Sequence, residues 1–204
     1  MEDTPNEQSQ VFTIGHSNQP LERFLDLLSQ KRIAVVVDVR SSPRSAYASQ
    51  FDRERLPQPL AELAIHYVFL GRELGGRPQG DQYYDGQGRV LYSRVAESDL
   101  FDLGIKQLED AIRRQRVAIM CSEESPAGCH RHLLIARVLT ARGILAVHIR
   151  ADGSLQPEAE LTGEKTASGD DGKQLALFEE PQEAAWRSTR SVLPRRPPPS
   201  SSGR

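Results

Sequence analysis

The chain has 204 residues, 38% hydrophobic and 26% charged, with a formal net charge of −2, which fits one domain of ordinary size followed by a tail. A core of roughly 140 residues buries about two-thirds of its unfolded surface and needs no staples, and two cysteines make no disulfide framework. The near-neutral charge excludes wholesale nucleic-acid binding through a basic surface, no apolar run reaches the roughly 20 residues of a membrane span, and the polar start MEDTPNEQSQ does not read as a signal peptide.

A flexible N-terminus over 1–9 precedes a first strand, Val11-Phe-Thr-Ile14, ending at Gly15. Leu21, Phe24, Leu25, Leu27 and Leu28 then recur at helical spacing, with Asn18 as the expected cap and Pro20 in the first turn. The β-branched run 33–39 predicts a central parallel strand. A Ser/Pro/Arg loop, a helix over 53–64 and a strand over 66–70 follow. Residues 71–93 are rich in glycine and polar groups, and a structureless connection of that length tends to be functional or mobile. A helix over 100–115 leads to VAIMCSEESPAGCHR (117–131), a buried strand that runs into a turn broken by Ser125, Pro126 and Gly128. Leu133, Leu134, Ala136, Val138 and Leu139 predict the next helix, capped at Gly143, and 145–149 closes the sheet. The expected fold is α/β: a single three-layer domain over 10–150 with a mostly parallel sheet of about five strands.

Beyond Arg150 the composition changes. Residues 158–183 carry eight acidic and two basic side chains, and 184–204 carry five arginines and no acid. Neither block has a sustained apolar face, so 151–204 reads as a disordered tail.

Three polar blocks follow strands at their carboxyl ends: His16 with Ser17, Asp38 with Arg40, and the turn from Cys121 to Arg131. In a parallel sheet those ends share an edge, where open α/β sheets hold ligands. Cys129 is the candidate nucleophile, because a helix start followed by His130 and Arg131 lowers a thiol from its usual value of about 8.5. Cys121 is a resolving partner or packing residue. Asp38 and Arg40 form a loop-fixing ion pair or a ligand contact. Arg40, Arg44, Arg72, Arg77 and Arg131 suit recognition of phosphate, His130 adds a donor, and Gly75 and Gly76 allow close approach of backbone to a ligand. His16 and Glu123 are the proton-transfer candidates. The residue types of a zinc or iron site are present, but Cys-x7-Cys-His matches no closed zinc module, so neither metal nor cofactor is predicted.

TIGHS (13–17), DVRSSPRS (38–45), LGRELGGRP (70–78) and CSEESPAGCHR (121–131) resemble, in order, the signature blocks of the bacterial and archaeal family called domain of unknown function 488. The resemblance covers roughly 11–149 and implies a compact α/β domain with these polar clusters, but no established reaction. DVR after a strand also looks like sulfurtransferase (rhodanese-like) domains. There, and in cysteine phosphatases, the nucleophile opens a tight loop that ends in arginine, typically after five residues. Here nine residues separate Cys121 from Arg131 and only one separates Cys129 from it, so that cradle does not match. No G-x-G-x-x-G or Walker A pattern is present.

Within the acidic tail, Gln174-Leu-Ala-Leu-Phe178 resembles the pentapeptide by which bacterial replication and repair proteins dock on the DNA sliding clamp, with alanine at the usual small or acidic position. Leu175, Leu177 and Phe178 suit apolar pockets while Gln174 hydrogen-bonds. The alternative is that this patch folds back on its own domain. Arg187, Arg190, Arg195 and Arg196 add a salt-sensitive contact to DNA phosphates or serve solubility alone.

These readings together point to a cytoplasmic protein with reduced thiols that handles a nucleotide or nucleic-acid phosphate at replication or repair sites, with no membrane role. A non-catalytic nucleotide-binding adaptor and a thiol redox sensor pairing Cys121 with Cys129 remain open.

Overall fold

In the computed structural model of the chain, residues 9–161 and 186–192 are described. The strands are β1 (Gln10–Gly15), β2 (Val35–Asp38), β4 (Val117–Cys121) and β5 (Leu145–Ile149), which are largely apolar and buried, and the half-exposed edge strand β3 (His66–Phe69). A sixth, β6 (Leu155–Pro157), extends the sheet past the expected end of the domain. The order is β3-β2-β4-β1-β5-β6, parallel except for the antiparallel β5–β6 pair.

Because side chains alternate along a strand, successive residues feed opposite layers. Phe12, Ile14, Val36, Ala118 and Met120 pack with Phe24, Leu27 and Leu28 of α1 (Leu21–Gln30) and Leu60 of α2 (Pro57–Glu62). Val11, Val37, Ile119 and Cys121 pack with Val95 of α3 (Tyr92–Ala96), with Ile105 and Leu108 of α4 (Asp99–Arg114), and with Leu139 of α5 (Arg137–Ala141). The three-layer reading therefore holds.

Local differences have local causes. Helix α1 starts after Pro20, whose carbonyl accepts from Phe24 N at 3.2 Å, so the proline, not Asn18, caps it. The long 71–93 connection is not structureless: it holds a 3-10 turn at Asp81–Tyr83, a bridge between Tyr84 and Val90, and the start of α3. The helix after the cysteines opens as a π-helical stretch, Arg131–Ala136, before α5. Such wide turns are rare and concentrate at functional sites.

The expected tail is in part a working piece of the domain. Leu161 is 3% exposed. Trp186 donates from Nε1 to Leu133 O at 2.7 Å, Tyr92 N donates to Trp186 O, and Ser188 and Val192 donate from their backbones to Val90 and Gly88. The returning segment thus satisfies the open edge of the 84–90 hairpin. The QLALF motif, the first eight residues, Arg195 and Arg196 lie outside the described residues. Among the described residues, no helix is long and apolar enough to cross a membrane.

Candidate functional site

Strands β2, β4 and β1 are neighbours, so Asp38, Cys121 and Gly15 end at a common rim. The connection leaving β1 runs to β2 while that leaving β4 runs to β5 on the other side, which makes this rim the switch point where α/β sheets open a crevice. Backbone pairing continues past the strands: His16 N donates to Cys121 O at 3.0 Å, Ser17 N to Ser122 O at 2.8 Å, and Val39 N to Met120 O at 3.1 Å. Gly15 is required here, since a Cβ would stand 1.8 Å from Glu123 O.

Asp38 and Arg40 are 0% and 4% exposed and form a bidentate pair, Nε–Oδ1 2.9 Å and Nη2–Oδ2 2.7 Å. Tyr67 donates its hydroxyl to Asp38 Oδ2 at 2.6 Å, and Arg40 also donates to Phe51 O at 2.7 Å. Arg40 Nη1 faces His16 Nε2 at 2.9 Å, while His16 Nδ1 meets Ser17 O at 2.6 Å. A carbonyl only accepts, so Nδ1 carries the proton and Nε2 the lone pair. Burial and the Arg40 charge together hold His16 at about 4, which keeps the ring neutral at physiological pH. His16 is a locked hydrogen-bonding post and stacks on Phe51 with ring centroids 4.4 Å apart.

The two free thiols meet at the end of β4. Glu123 Oε2 lies 2.9 Å from Cys121 Sγ and 3.2 Å from Cys129 Sγ. His130 Nδ1 lies 3.8 Å from each sulfur, and His130 Nε2 donates to Val39 O at 3.1 Å. Arg131 is fully buried; it donates to the carbonyls of Glu123 (2.5 Å) and Glu124 (2.9 Å), to Thr13 Oγ1 (3.3 Å) and to Cys129 Sγ (3.4 Å). Among the described residues no carboxylate pairs with this guanidinium, and a buried charge needs a counter-charge. The Cys129 sulfur supplies it. Burial alone would raise Cys129, but the hydrogen bond from Cys121 and the charges of His130 and Arg131 bring it well below the usual thiol value. That same hydrogen bond, with burial, pushes Cys121 up. Burial would depress His130, yet the Cys129 sulfur raises it.

Above the thiols opens a cleft of about 530 Å³. Its walls carry Arg44, Arg77 and Arg190 together with Ser41, Ser42, Ser45, Ser122, Ser188 and Ser191, and among the described residues Glu123 is the one acid in the lining. Cys121 and His130 form its floor; Cys129, 1% exposed, stands behind them. Arg44 pairs with Glu54 on the surface.

Residues 20–138 match the family described as Domain of unknown function DUF488, more than half of the chain. The chain belongs to the DUF488 family. No curated protein and no solved structure matches it. The DUF488 match includes the Asp38, Gly75–Gly76 and Cys121–Arg131 blocks. It stops short of His16 on one side and β5 on the other, so the TIGHS block joins the site through the fold.

The rim of this DUF488 domain gathers the three expected blocks, with several roles redistributed. Glu123 reaches the sulfurs and does not pair with His16. Arg40 lines the cleft, but its guanidinium is committed to Asp38 and Phe51 O; Arg131 is buried on backbone carbonyls and is not in the lining. Cys129 does open the helix, its carbonyl accepting from Leu133 N at 2.9 Å, but the residue is 1% exposed and its thiol is not in the cleft lining. Ser17 and Arg72 are not in the cleft lining. Gly75 and Gly76 admit protein rather than ligand: a Cβ at Gly75 would meet Ser41 Oγ at 2.4 Å, and one at Gly76 would meet His130 Nδ1 at 2.8 Å.

Arg190, expected as a phosphate contact from the tail, instead lines the cleft, and its neighbours Ser188 and Ser191 carried no signal in the sequence. Nor did a second buried cluster, in which His132 Nδ1 and His148 Nε2 hold the two oxygens of Glu158 at 2.6 and 2.8 Å and Thr13 Oγ1 bonds His148 Nδ1 at 2.7 Å. The ligand-type atoms of Cys121, Cys129 and His130 lie within 4.8 Å of one another, as do those of His132, His148 and Glu158.

Proposed function

We propose that the chain binds a phosphate-bearing ligand, a nucleotide or a nucleic-acid strand, in the cleft above the thiols. The supporting observation is the distribution of charge: Arg44, Arg77 and Arg190 line one crevice opposed by a single carboxylate. Guanidinium forks fit phosphate oxygens, serine hydroxyls supply adaptable donors, and the exposed Arg44–Glu54 pair is weak enough to open for a better anion.

Fluorescence anisotropy across a panel of nucleotides and short single strands, at several salt concentrations, tests the proposal. Binding should weaken with salt, and Arg77→Ala or Arg190→Ala should each cost about tenfold in affinity, equal to about 1.4 kcal/mol. No binding at about millimolar ligand, or wild-type affinity in both variants, refutes it. Cys121→Ser separates the two forms of the reading: lost turnover with retained affinity marks an enzyme, and an unchanged variant marks an adaptor.

We also propose that Gln174, Leu175, Leu177 and Phe178 dock the protein on a bacterial sliding clamp. The motif lies between Leu161 and Trp186, both packed on the domain, which would hold a docked clamp close to the cleft. Three apolar side chains entering pockets fit micromolar binding. A peptide spanning 171–181 that fails to bind a clamp at about tens of micromolar refutes this.

A further inference from the structure

We infer that Cys121, Cys129 and His130 form a binding site for a thiophilic divalent cation of the zinc class, with its fourth position opening on the cleft beside Glu123. The ligand set is chemically apt, because two thiolates and an imidazole are a recurring zinc environment. The spacing agrees as well. Bond lengths of about 2.3 Å to sulfur and 2.0–2.1 Å to nitrogen, at tetrahedral angles, separate sulfur from nitrogen by about 3.6 Å. Here both sulfurs lie 3.8 Å from Nδ1, and all three atoms fall within 4.8 Å of one another.

The surroundings are those of a metal centre. His130 Nε2 donates to Val39 O at 3.1 Å, so Nδ1 is the nitrogen that faces the sulfurs and the one whose lone pair a cation takes once its proton leaves, and a second bond of this kind is what orients ligating histidines. Arg131 Nε contacts Cys129 Sγ from inside the fold. Gly76 lets the His130 ring pack where it does, because a Cβ there would come within 2.8 Å of Nδ1. Glu123 Oε2 touches both sulfurs from the cleft side, marking the direction of a fourth ligand. Three protein ligands with one open position are the pattern of sites where a metal takes part in chemistry, whereas structural sites are closed by four.

The second buried cluster differs. His132 and His148 stand at 2.6 and 2.8 Å from Glu158, which are hydrogen-bond lengths and shorter than the ligand–ligand edges around a cation. The sequence spacing concealed the thiol site because Cys121 comes from the end of a strand and Cys129 from the turn eight positions later. On binding, any proton a sulfur still carries passes to solvent and the cation takes its place. The inference concerns the floor of the cleft and holds whichever ligand the cleft takes.

The test titrates cobalt(II) into the full-length, reduced, metal-stripped chain without any cleft ligand. A thiolate-to-cobalt charge-transfer band and tetrahedral visible bands should saturate at about one equivalent and be displaced by zinc. Cys121→Ser and Cys129→Ser should each weaken binding by about a hundredfold or more, while His148→Gln leaves it unchanged. Should the cysteine variants fail to fold, a mercurial titration of the zinc-loaded wild type replaces them: zinc should leave as the two thiols are consumed. Absence of the charge-transfer band in cobalt excess overturns the inference, as does bound metal that survives thiol modification. Equal rates of peroxide-driven Cys121–Cys129 disulfide formation with and without zinc also overturn it, and favour the redox reading.

Discussion

Loss of Asp38 should cost more than loss of Arg40, although the two form one ion pair. The side chains of both are buried, 0% and 3% exposed. Asp38→Ala leaves a guanidinium in the interior with only Phe51 O and His16 Nε2 for company; stranding a buried charge in this way costs about 3–5 kcal/mol. Arg40→Met leaves a carboxylate that still accepts from the Tyr67 hydroxyl and from the backbone N–H of residue 40, so about 2–3 kcal/mol is expected. The double variant should cost about 2 kcal/mol less than the sum of the singles, because the second substitution removes the charge stranded by the first. Urea unfolding of the four proteins measures this directly, and in a thermal scan about 4 kcal/mol corresponds to a fall in Tm of roughly 8–16 °C. Additive singles, or singles within about 0.5 kcal/mol of wild type, would show that the pair does not hold the rim.

Stability should decline as the pH falls below about 6.5, the value of an unfolded histidine. Burial, together with the charges of Arg131 and His132, depresses His148 despite the Glu158 carboxylate, so the unfolded chain binds a proton that the folded chain refuses. His148→Gln should flatten the curve by up to about 1.4 kcal/mol per pH unit, leaving the same-signed share of His16, held at about 4. An unaltered slope by urea unfolding at graded pH would refute the assignment. Trp186→Ala removes the Nε1 bond to Leu133 O and the ring beneath Arg137, and should cost about 2 kcal/mol while weakening ligand capture through the displaced Arg190; a stable variant with wild-type affinity would detach the segment from the cleft. Gly15→Ala drives a Cβ into Glu123 O and should destabilise by more than about 2 kcal/mol, since backbone must move; a crystal structure with an unshifted 123–124 turn would contradict this.

The strands and the shared rim were legible because both follow from periodicity. Runs such as 117–120 are apolar on both faces, and polar residues placed directly after parallel strands must meet at one edge. What escaped notice lacks periodicity. β6 is three residues long and ends in Pro157, as an edge strand can. Glu158 sits in an acidic stretch that reads as solvated, yet it turns inward to two histidines. His148 lies in the β5 run LAVHI and was read as part of a closing strand. Trp186 was the available signal for the returning segment: a lone large aromatic in an Arg/Pro/Ser-rich stretch is costly to leave in water. The residue types of the thiol group and the helix start at Cys129 were legible, but not the depth of the thiol, because helix-start reasoning assumes an exposed first turn and this one is buried.

The polar groups at the rim fall into two sets with different work. Asp38, Arg40, Arg131 and His16 are buried and satisfied by one another or by backbone carbonyls, so an incoming anion gains nothing from them without breaking bonds that hold β1, β2 and β4 in register. Arg77 and Arg190 are exposed and stand on the 71–93 connection and the returning segment, outside the sheet, where their charge meets a ligand at little cost to the fold. Under the proposed reading, capture falls to peripheral pieces, while the thiol floor belongs to the sheet itself. Substitutions at Arg77 or Arg190 should therefore change ligand affinity with Tm held, and substitutions at Arg131 or Asp38 should lower Tm; a variant of Arg77 that melts early would break this division.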